Sequence, residues 1–219
     1  MKDDAELFFD YPAKIAAMLL KDEIDVGLIP VAVIPKLPEY HIISDYCIGA
    51  SQPVASVCLF SDVPLEGIKE ILVDYQSRTS AALLKVLLRQ HWKIDPMLTD
   101  TSNNYQQHIK GNTAGLVIGD RALVQRHQSA YIYDLAEAWQ QMTGLPFVFA
   151  AWVANKQLPE DFKKAFNHTT GLGLQHIDEI VSAIDFSAYD MKAYYTQNID
   201  YKMDGKKLEA LGLFLSYLL

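Results

Sequence analysis

The chain has 219 residues, of which 50% are hydrophobic, 21% charged and 11% aromatic, and its formal charge is −8. These values suffice for a sizeable core, in one domain or in two small lobes, and exclude disordered, collagen-like and low-complexity proteins. The acidic balance argues against nonspecific nucleic-acid binding, which needs surplus cations to neutralise phosphates, but it is compatible with a local basic pocket for a small anion.

The hydrophobic pattern predicts short strands that alternate with amphipathic helices. In chain order we predict a strand at 7–9, a helix opened by Pro12, strands at 24–29, 41–44, 46–50, 54–60 and 71–74, a helix after 77–80, a strand at 114–118, a short helix after Gly119, a strand at 131–135, a helix at 136–142 and a strand at 147–153. From Pro159 onward the pattern is helical to the end of the chain.

This alternation predicts an α/β fold with mainly parallel sheets and helices on both faces. Two long apolar strands, 54–60 and 147–153, bracket the middle of the chain. If both strands cross between lobes, the middle is an inserted lobe. The predicted division is then residues 1–57 with 151–219 as lobe I, and residues 58–150 as lobe II. A site in the cleft between them would be built from strand ends and helix N-termini.

The stretch Ser77-Arg78-Thr79-Ser80 is the most informative one for function. A hydroxyl at a helix start caps free backbone N–H groups, and this role alone would account for one of these residues. Three hydroxyls and an arginine after a buried strand exceed what capping needs. The same position offers N–H groups and the positive end of the helix dipole to an anion. The residue types leave anion binding and plain capping open.

Two other short stretches place polar groups next to presumed strands. Ser51 and Ser56 lie at and just inside a presumed crossing strand, and the small residues in 49–56 would allow a ligand to approach the backbone closely. The alternative, which the residues alone favour, is a turn followed by a tightly packed strand. Gly119 and Asp120 follow one strand and precede a helix, so Asp120 is either a helix N-cap, the commoner role, or a carboxylate in the cleft.

Motifs for metals and nucleophiles are absent from the sequence. The six histidines lack metal-ligand spacing, and the chain has neither a Walker A sequence nor a G-x-S-x-G elbow. Cys47 and Cys58 lie within apolar runs and are too few for a disulfide framework, so we predict two buried reduced thiols. Residue types therefore lead only to a two-lobed α/β protein with a possible site for a small anion.

The sequence also predicts where the protein works. The longest apolar run, 26–34, is shorter than a membrane span and is interrupted by Gly27 and Pro30. Residues 1–6 lack the basic and then apolar layout of a signal peptide. We therefore expect a cytoplasmic protein with no membrane partner.

Six motifs, taken in order, resemble those of the chorismate dehydratases of menaquinone biosynthesis, the MqnA-type enzymes of the futalosine route. The motifs are DVGLIP at 25–30, GASQPV at 49–54, SVCLFS at 56–61, SRTSA at 77–81, IGDRAL at 118–123, and YDL at 133–135 together with TGLPFVFA at 143–150. The resemblance runs from about residue 7 to the C-terminus, where 199–201 and the leucine-rich last helix also fit.

The resemblance implies a two-lobed periplasmic-binding-protein-like type II fold that serves as an enzyme. It implies that chorismate, a dianion, loses water to give 3-[(1-carboxyvinyl)oxy]benzoate without a metal or an organic cofactor. Thr79 and Ser80 would then hold a carboxylate at their helix N-terminus, with Ser51 and Ser56 on the other side of the cleft. Gly119 and Asp120 would line the wall, and Arg78 is the nearest cation.

The sequence departs from the family at one point. Members usually open with a strand and a Ser-Tyr-Leu-Asn-Thr-like loop, whose Asn is placed in the active site as the proton-handling residue. No such segment precedes Leu7, and Asn103, Asn104 and Asn112 stand in a different context, so the catalytic residue stays unassigned. Two explanations follow: a truncated or misassigned start, or a chain that only binds a small carboxylate. The sequence leaves the oligomeric state open, and an acidic chain with an apolar last helix is compatible with a homodimer.

Overall fold

The computed structural model describes residues 5–73, 77–101 and 104–219. Its strands and helices are α1 (Pro12–Leu20), β1 (Val26–Pro30), β2 (His41–Ala50), β3 (Val57–Ser61), β4 (Glu70–Val73), α2 (Arg78–Leu87), β5 (Met97–Asp100), β6 (Thr113–Ile118), α3 (Asp120–Gln125), β7 (Tyr131–Asp134), α4 (Leu135–Thr143), β8 (Phe147–Ala154), α5 (Glu160–Gln175), α6 (Ile177–Ser182), α7 (Met191–Ala193), β9 (Asp200–Lys202) and α8 (Gly205–Ser216). Single helical turns occupy Val31–Lys36, Leu65–Gly67, Leu88–Trp92, Tyr105–His108 and Tyr194–Asn198. Asp74, of the predicted strand 71–74, and Asn103 lie outside the described residues.

The strands form two sheets. Sheet A has the order β1-β8-β2-β9, and sheet B has the order β5-β4-β6-β3-β7. All pairs in sheet A are antiparallel, and in sheet B only β4 pairs in parallel, with β5 and β6. The α/β architecture is confirmed, but the prediction of mainly parallel sheets is wrong. The chain enters β3 from sheet A and enters β8 from sheet B. Each of these strands begins at the edge where its neighbours end, and it therefore runs antiparallel to them.

The prediction of helix from Pro159 to the end of the chain is wrong at β9, a strand that pairs with β2, and strand β5 was not predicted. Three predicted strand limits also differ from the structure. Residues 5–11 contain no strand and pair with none in the described chain, so Leu7, Phe8 and Phe9 are exposed. An extended apolar segment becomes a strand only where a neighbour supplies backbone partners. The predicted break at Asp45 is absent, since β2 is continuous. β3 begins at Val57 because Ser56 N–H closes a turn onto the Val54 carbonyl.

The passages between the sheets lie outside the two long strands. β3 pairs within sheet B and β8 within sheet A, so the chain changes sheet in residues 51–56 and again between α4 and β8. The lobe limits at 57/58 and 150/151 remain predictions.

One aromatic cluster joins helices of the core to sheet A. The Trp139 ring of α4 is fully buried and meets Phe147 of β8 and Phe214 of α8 edge-on, with ring centroids 5.3 and 6.0 Å away. Its Nε1 donates a hydrogen bond to the Pro146 carbonyl at 3.0 Å. Aromatic pairs of this geometry add to the stabilisation from burial, so the second passage of the chain is firmly held.

Cys47 and Cys58 are free and buried, which confirms the prediction from sequence. Within the described ranges, no helix has the length and hydropathy needed to cross a bilayer.

Candidate functional site

The strand register gathers several predicted residues at one edge of sheet B. β4 and β6 are parallel and end at the same edge, and β3 begins there because Val57 pairs with Ile118 in antiparallel fashion. Gly119 N–H consequently donates to the Ser56 carbonyl at 2.8 Å. The start of α2, which follows β4, lies along this edge, so the hydroxyls near it and Ser56 belong to one wall.

A matching edge of sheet A faces this wall. Ala50 pairs with Phe147, and Gly49 pairs with Asp200, so the ends of β2 and β9 meet there. The turn after β1 lies at the same edge, and Ala32 N–H donates to Thr79 Oγ1 at 3.3 Å. This hydrogen bond joins the two edges directly. That Ser51, Ser56, Gly119 and Asp120 border one cleft together with the start of α2 stays a prediction.

The start of α2 combines capping with a possible anion site. Ser77 Oγ accepts the Ser80 N–H at 3.1 Å, which confirms capping as the role of Ser77. Thr79 and Ser80 are each 3% exposed. The N–H groups of Arg78 and Thr79 belong to the first turn, which has no intrahelical acceptors, and they carry the positive end of the helix dipole.

The Arg78 side chain leaves this wall. Arg78 is exposed and lines a groove along the outer face of α2 together with Lys85. Its predicted contact with the substrate stays a prediction.

Ser56 has a partner that sequence reasoning missed. The Tyr194 hydroxyl donates to Ser56 Oγ at 2.9 Å, and burial is the main cause that raises the pKa of this tyrosine. Tyr195 lies beside it, and burial together with the nearby Asp120 charge raises the pKa of Tyr195. Tyr194 lies 138 residues from Ser56 in the chain. No local pattern could have connected them.

The structure shows which residue is the N-cap of α3. Gly119 is the N-cap residue of α3, with φ +64° and ψ −149°, a conformation available essentially to glycine alone. Asp120 is the first helical residue and is exposed, so the N-cap interpretation of Asp120 is wrong. Asp120 lies one residue after the N-cap position, and no described side chain accepts a capping hydrogen bond at the start of α3.

We expect Gly119→Ala to lower the free energy of unfolding by about 1–3 kcal/mol, because alanine is strained at this φ and ψ. Gly212→Ala is the matched control: Gly212 lies inside α8 with open space around it, so alanine should stabilise the protein by about 0.5–1 kcal/mol. Urea unfolding measures both variants. Equal stabilities of the two variants would contradict the glycine requirement at position 119.

Ser51 is part of a small charged cluster at the edge of sheet A. Ser51 Oγ donates to Asp200 Oδ2 at 2.5 Å, and Lys207 Nζ donates to the same oxygen at 2.6 Å. Lys207 is 1% exposed. Burial opposes ionisation of Asp200, but the hydrogen bonds from Lys207 and Ser51 outweigh it and lower the pKa of the Asp200 carboxyl. The Ser51 hydroxyl is thereby held at the cleft edge by an ionised partner.

Asp134 is a second residue that sequence reasoning did not place in the site. Its Oδ1 accepts the N–H groups of Ala136 and Glu137, which caps α4, and its Oδ2 accepts Ala55 N–H at 2.7 Å. Ala55 has φ +63°, so this bond holds a left-handed residue just before Ser56. Burial raises the pKa of the Asp134 carboxyl.

The cleft offers hydroxyls, backbone N–H groups and a few ionisable side chains. Among the described residues, no group of three or more His, Cys, Asp and Glu side chains is arranged to hold a metal ion. Neutral donors at a helix N-terminus suit carboxylate groups of a small organic acid.

Comparison with known proteins gives concordant findings. Residues 1–219 match the model of a family described as menaquinone biosynthesis. The chain is 25% identical over 198 residues to the chorismate dehydratase of Thermus thermophilus, covering 78% of this chain and 70% of that protein. It is 32% identical over 120 residues to the chorismate dehydratase of Campylobacter jejuni, and that match spans only about half of each chain, 52% and 53%.

Three solved structures share the fold. A protein of Archaeoglobus fulgidus matches with a TM-score of 0.74 and 14% identity over 96% of this chain and 84% of its own. An ABC transporter protein of Parabacteroides distasonis matches with 0.66 and 17%, over 96% and 79%. The periplasmic aliphatic sulphonate binding protein of Escherichia coli matches with 0.56 and 14%, over 96% and 74%. These likenesses confirm the predicted periplasmic-binding-protein-like fold.

Proposed function

The chain belongs to the menaquinone biosynthesis family, and on that premise we propose that it dehydrates chorismate to 3-[(1-carboxyvinyl)oxy]benzoate. The similarity to two chorismate dehydratases supports this reaction. The structural observation that supports the proposal is the Ala32–Thr79 hydrogen bond, because it holds the start of α2 against the turn that follows β1, and a substrate would then lie between the edges of the two sheets.

Substrate binding would rely on neutral donors and the helix dipole. Chorismate carries two carboxylates, and the protein has a net charge of −8, so overall charge disfavours the encounter. A carboxylate at the start of α2 would receive first-turn N–H groups and the hydroxyls of Thr79 and Ser80. Ser51, Ser56, Gly119 and Asp120 would border the ring and the second carboxylate from the remaining walls.

The proposed reaction needs orientation and proton movement. The C3–H bond of chorismate breaks, its electron pair forms a ring double bond, and the C4 hydroxyl leaves and takes up a proton as water. The ring becomes aromatic, so the driving force lies in the substrate, and the electron count needs no oxidant or reductant. The task of the protein is then to hold the dianion and to stabilise charge on the ring carboxylate.

Incubation of the purified protein with chorismate, followed by chromatography of the aromatic product, tests the function. We expect 3-[(1-carboxyvinyl)oxy]benzoate to appear with time and protein concentration. Calorimetric binding of chorismate without product would contradict the dehydratase proposal and favour a small-carboxylate-binding protein. If chorismate neither binds nor reacts, both the dehydratase proposal and the carboxylate-binding alternative are wrong.

A double variant tests the carboxylate site. Thr79→Ala together with Ser80→Ala should weaken chorismate binding by more than about 1 kcal/mol, or about fivefold, since two hydroxyl donors leave the site. Ser77→Ala is the matched control, because it removes the cap hydrogen bond and should reduce stability by about 1 kcal/mol with little change in affinity. Calorimetry gives the dissociation constants. Unchanged affinity in the double variant would place the carboxylate elsewhere.

The proposal includes a cytoplasmic location and a homodimer. Leu208 on α8 is 48% exposed, which supports association through this helix. Light scattering coupled to size-exclusion chromatography measures the mass in solution, and a monomer at micromolar concentration would contradict the dimer.

A further inference from the structure

A groove runs along the exposed face of α2, opposite the buried hydroxyls of Thr79 and Ser80. It has a volume of about 710 Å³ and lies between α2, the turn Val31–Lys36 and the last described residues of the chain. We call it the α2 groove. Its lining residues are Ala32, Val33, Lys36, Arg78, Ala81, Ala82, Lys85, Val86, Arg89, Gln90, Tyr217 and Leu218.

The α2 groove carries positive charge on an acidic protein. Lys36, Arg78, Lys85 and Arg89 line it, and no lining residue in the described ranges is acidic. None of the four forms an ion pair with another described residue. The whole chain has 19 Lys and Arg residues against 27 Asp and Glu. Four cations without an ion-pair partner among the described residues are therefore concentrated on one face of a protein that is acidic overall. Clustered like charges repel one another, and an anionic partner would remove that repulsion.

The shape of the α2 groove suits an elongated occupant. Arg78 and Arg89 are eleven residues apart, which corresponds to about 16 Å at the rise of a helix. Ala81 and Ala82 lie between the cations and allow a backbone to approach α2 closely. Tyr217 and Leu218 provide apolar surface at the side. The cations are exposed along the length of the groove, whereas a small ligand would need them to converge on one point.

We propose that the α2 groove docks a short acidic segment of a partner protein. Its carboxylates would pair with the cations, and its apolar side chains would lie on the alanines and against Leu218. About five extended residues cover the distance from Arg78 to Arg89. A nucleic acid is a poorer occupant, since its phosphates continue beyond the groove onto a surface that is acidic overall.

The probe for this docking is a fluorescein-labelled octapeptide of six glutamates and two leucines, measured by fluorescence anisotropy with the full chain. We expect saturable binding that weakens steeply with added salt and is lost when glutamines replace the glutamates. Lys85→Glu with Arg89→Glu should weaken it at least tenfold. Lys69→Glu with Lys110→Glu makes the same change in net charge at exposed positions outside the groove and should change affinity less than twofold.

Three outcomes would overturn the proposal: no saturable binding of the peptide, equal loss of binding in the two double variants, or an eight-nucleotide single-stranded RNA that binds the α2 groove more tightly than the peptide. Circular dichroism checks that the Lys85/Arg89 variant is folded. That variant should also keep its activity on chorismate, since neither residue borders the cleft. Arg78 is left unchanged in these variants because it is a predicted substrate contact.

Discussion

Asp200→Ala is expected to lower the free energy of unfolding by about 3 kcal/mol, the lower end of the range for a buried ion pair, because the Asp200 side chain is 33% exposed. Lys207 is 1% exposed, and its ammonium group donates to Asp200 Oδ2 at 2.6 Å. Removing the carboxylate leaves a buried positive charge without a counter-ion. The Ser51 hydroxyl loses its acceptor at the same time, so the cleft edge of sheet A should loosen as well. Urea unfolding measures the loss.

A double variant separates the ion pair from general damage to β9. Asp200→Asn with Lys207→Met removes both charges, and replacement of a buried pair by groups of similar size is often nearly neutral. We expect the double variant to be more stable than Asp200→Ala. The cycle that it forms with the single variants Asp200→Asn and Lys207→Met should give a coupling energy above about 1 kcal/mol. A loss below 1 kcal/mol in Asp200→Ala would show that the pair behaves like an exposed one.

The same carboxyl predicts a pH dependence. Its pKa is lower in the folded chain than its ordinary value of 3.8, since the hydrogen bonds from Lys207 and Ser51 outweigh the effect of burial. The folded chain therefore binds a proton at Asp200 less readily than the unfolded chain. The resulting stability is complete above the ordinary pKa and is lost as the pH falls through the lowered value. Asp200→Asn should lack this part of the acid loss.

Most elements of the fold were predictable from sequence because hydrophobic periodicity is a local property, but the short strands β5 and β9 were missed. The helix α2 illustrates this, because its leucines recur at helical spacing and Ser77, a typical N-cap residue, precedes its first turn. The strand directions were not predictable, since they depend on the edge at which the chain enters each sheet. Residues 7–9 show a related limit, because strand-like residues cannot supply their own pairing partner.

In the candidate site as well, residues marked by local sequence were predicted, and residues that depend on distant contacts were missed. Thr79 and Ser80 were predicted as site residues because they follow a strand and open a helix, and their contact with substrate stays a prediction. Tyr194 was missed because its partner Ser56 lies 138 residues away, and a tyrosine in a helical stretch has no distinguishing neighbour. Lys207 was missed because a lysine in the first turn of a helix is usually exposed, whereas here Gly49 leaves room for its side chain against β2.

Asp134→Ala is expected to lower the free energy of unfolding by about 2–4 kcal/mol. The change removes the cap of α4, which contributes about 1 kcal/mol, and leaves the Ala55 N–H buried without an acceptor, at about 1–3 kcal/mol. Asp204→Ala is the matched control. Asp204 also caps a helix, α8, through the Lys207 N–H, so it should cost only the first contribution. Thermal and urea unfolding give both values.

The excess of Asp134→Ala over Asp204→Ala measures the bond to Ala55, which is the link between this carboxyl and the cleft. Ala55 is held at φ +63°, and Ser56, the next residue, carries the hydroxyl bonded to Tyr194. If the bond maintains this conformation, Ala55→Gly in the Asp134→Ala background should recover part of the lost stability, because glycine adopts that φ without strain. Equal losses in the two aspartate variants would show that Asp134 acts as a helix cap alone.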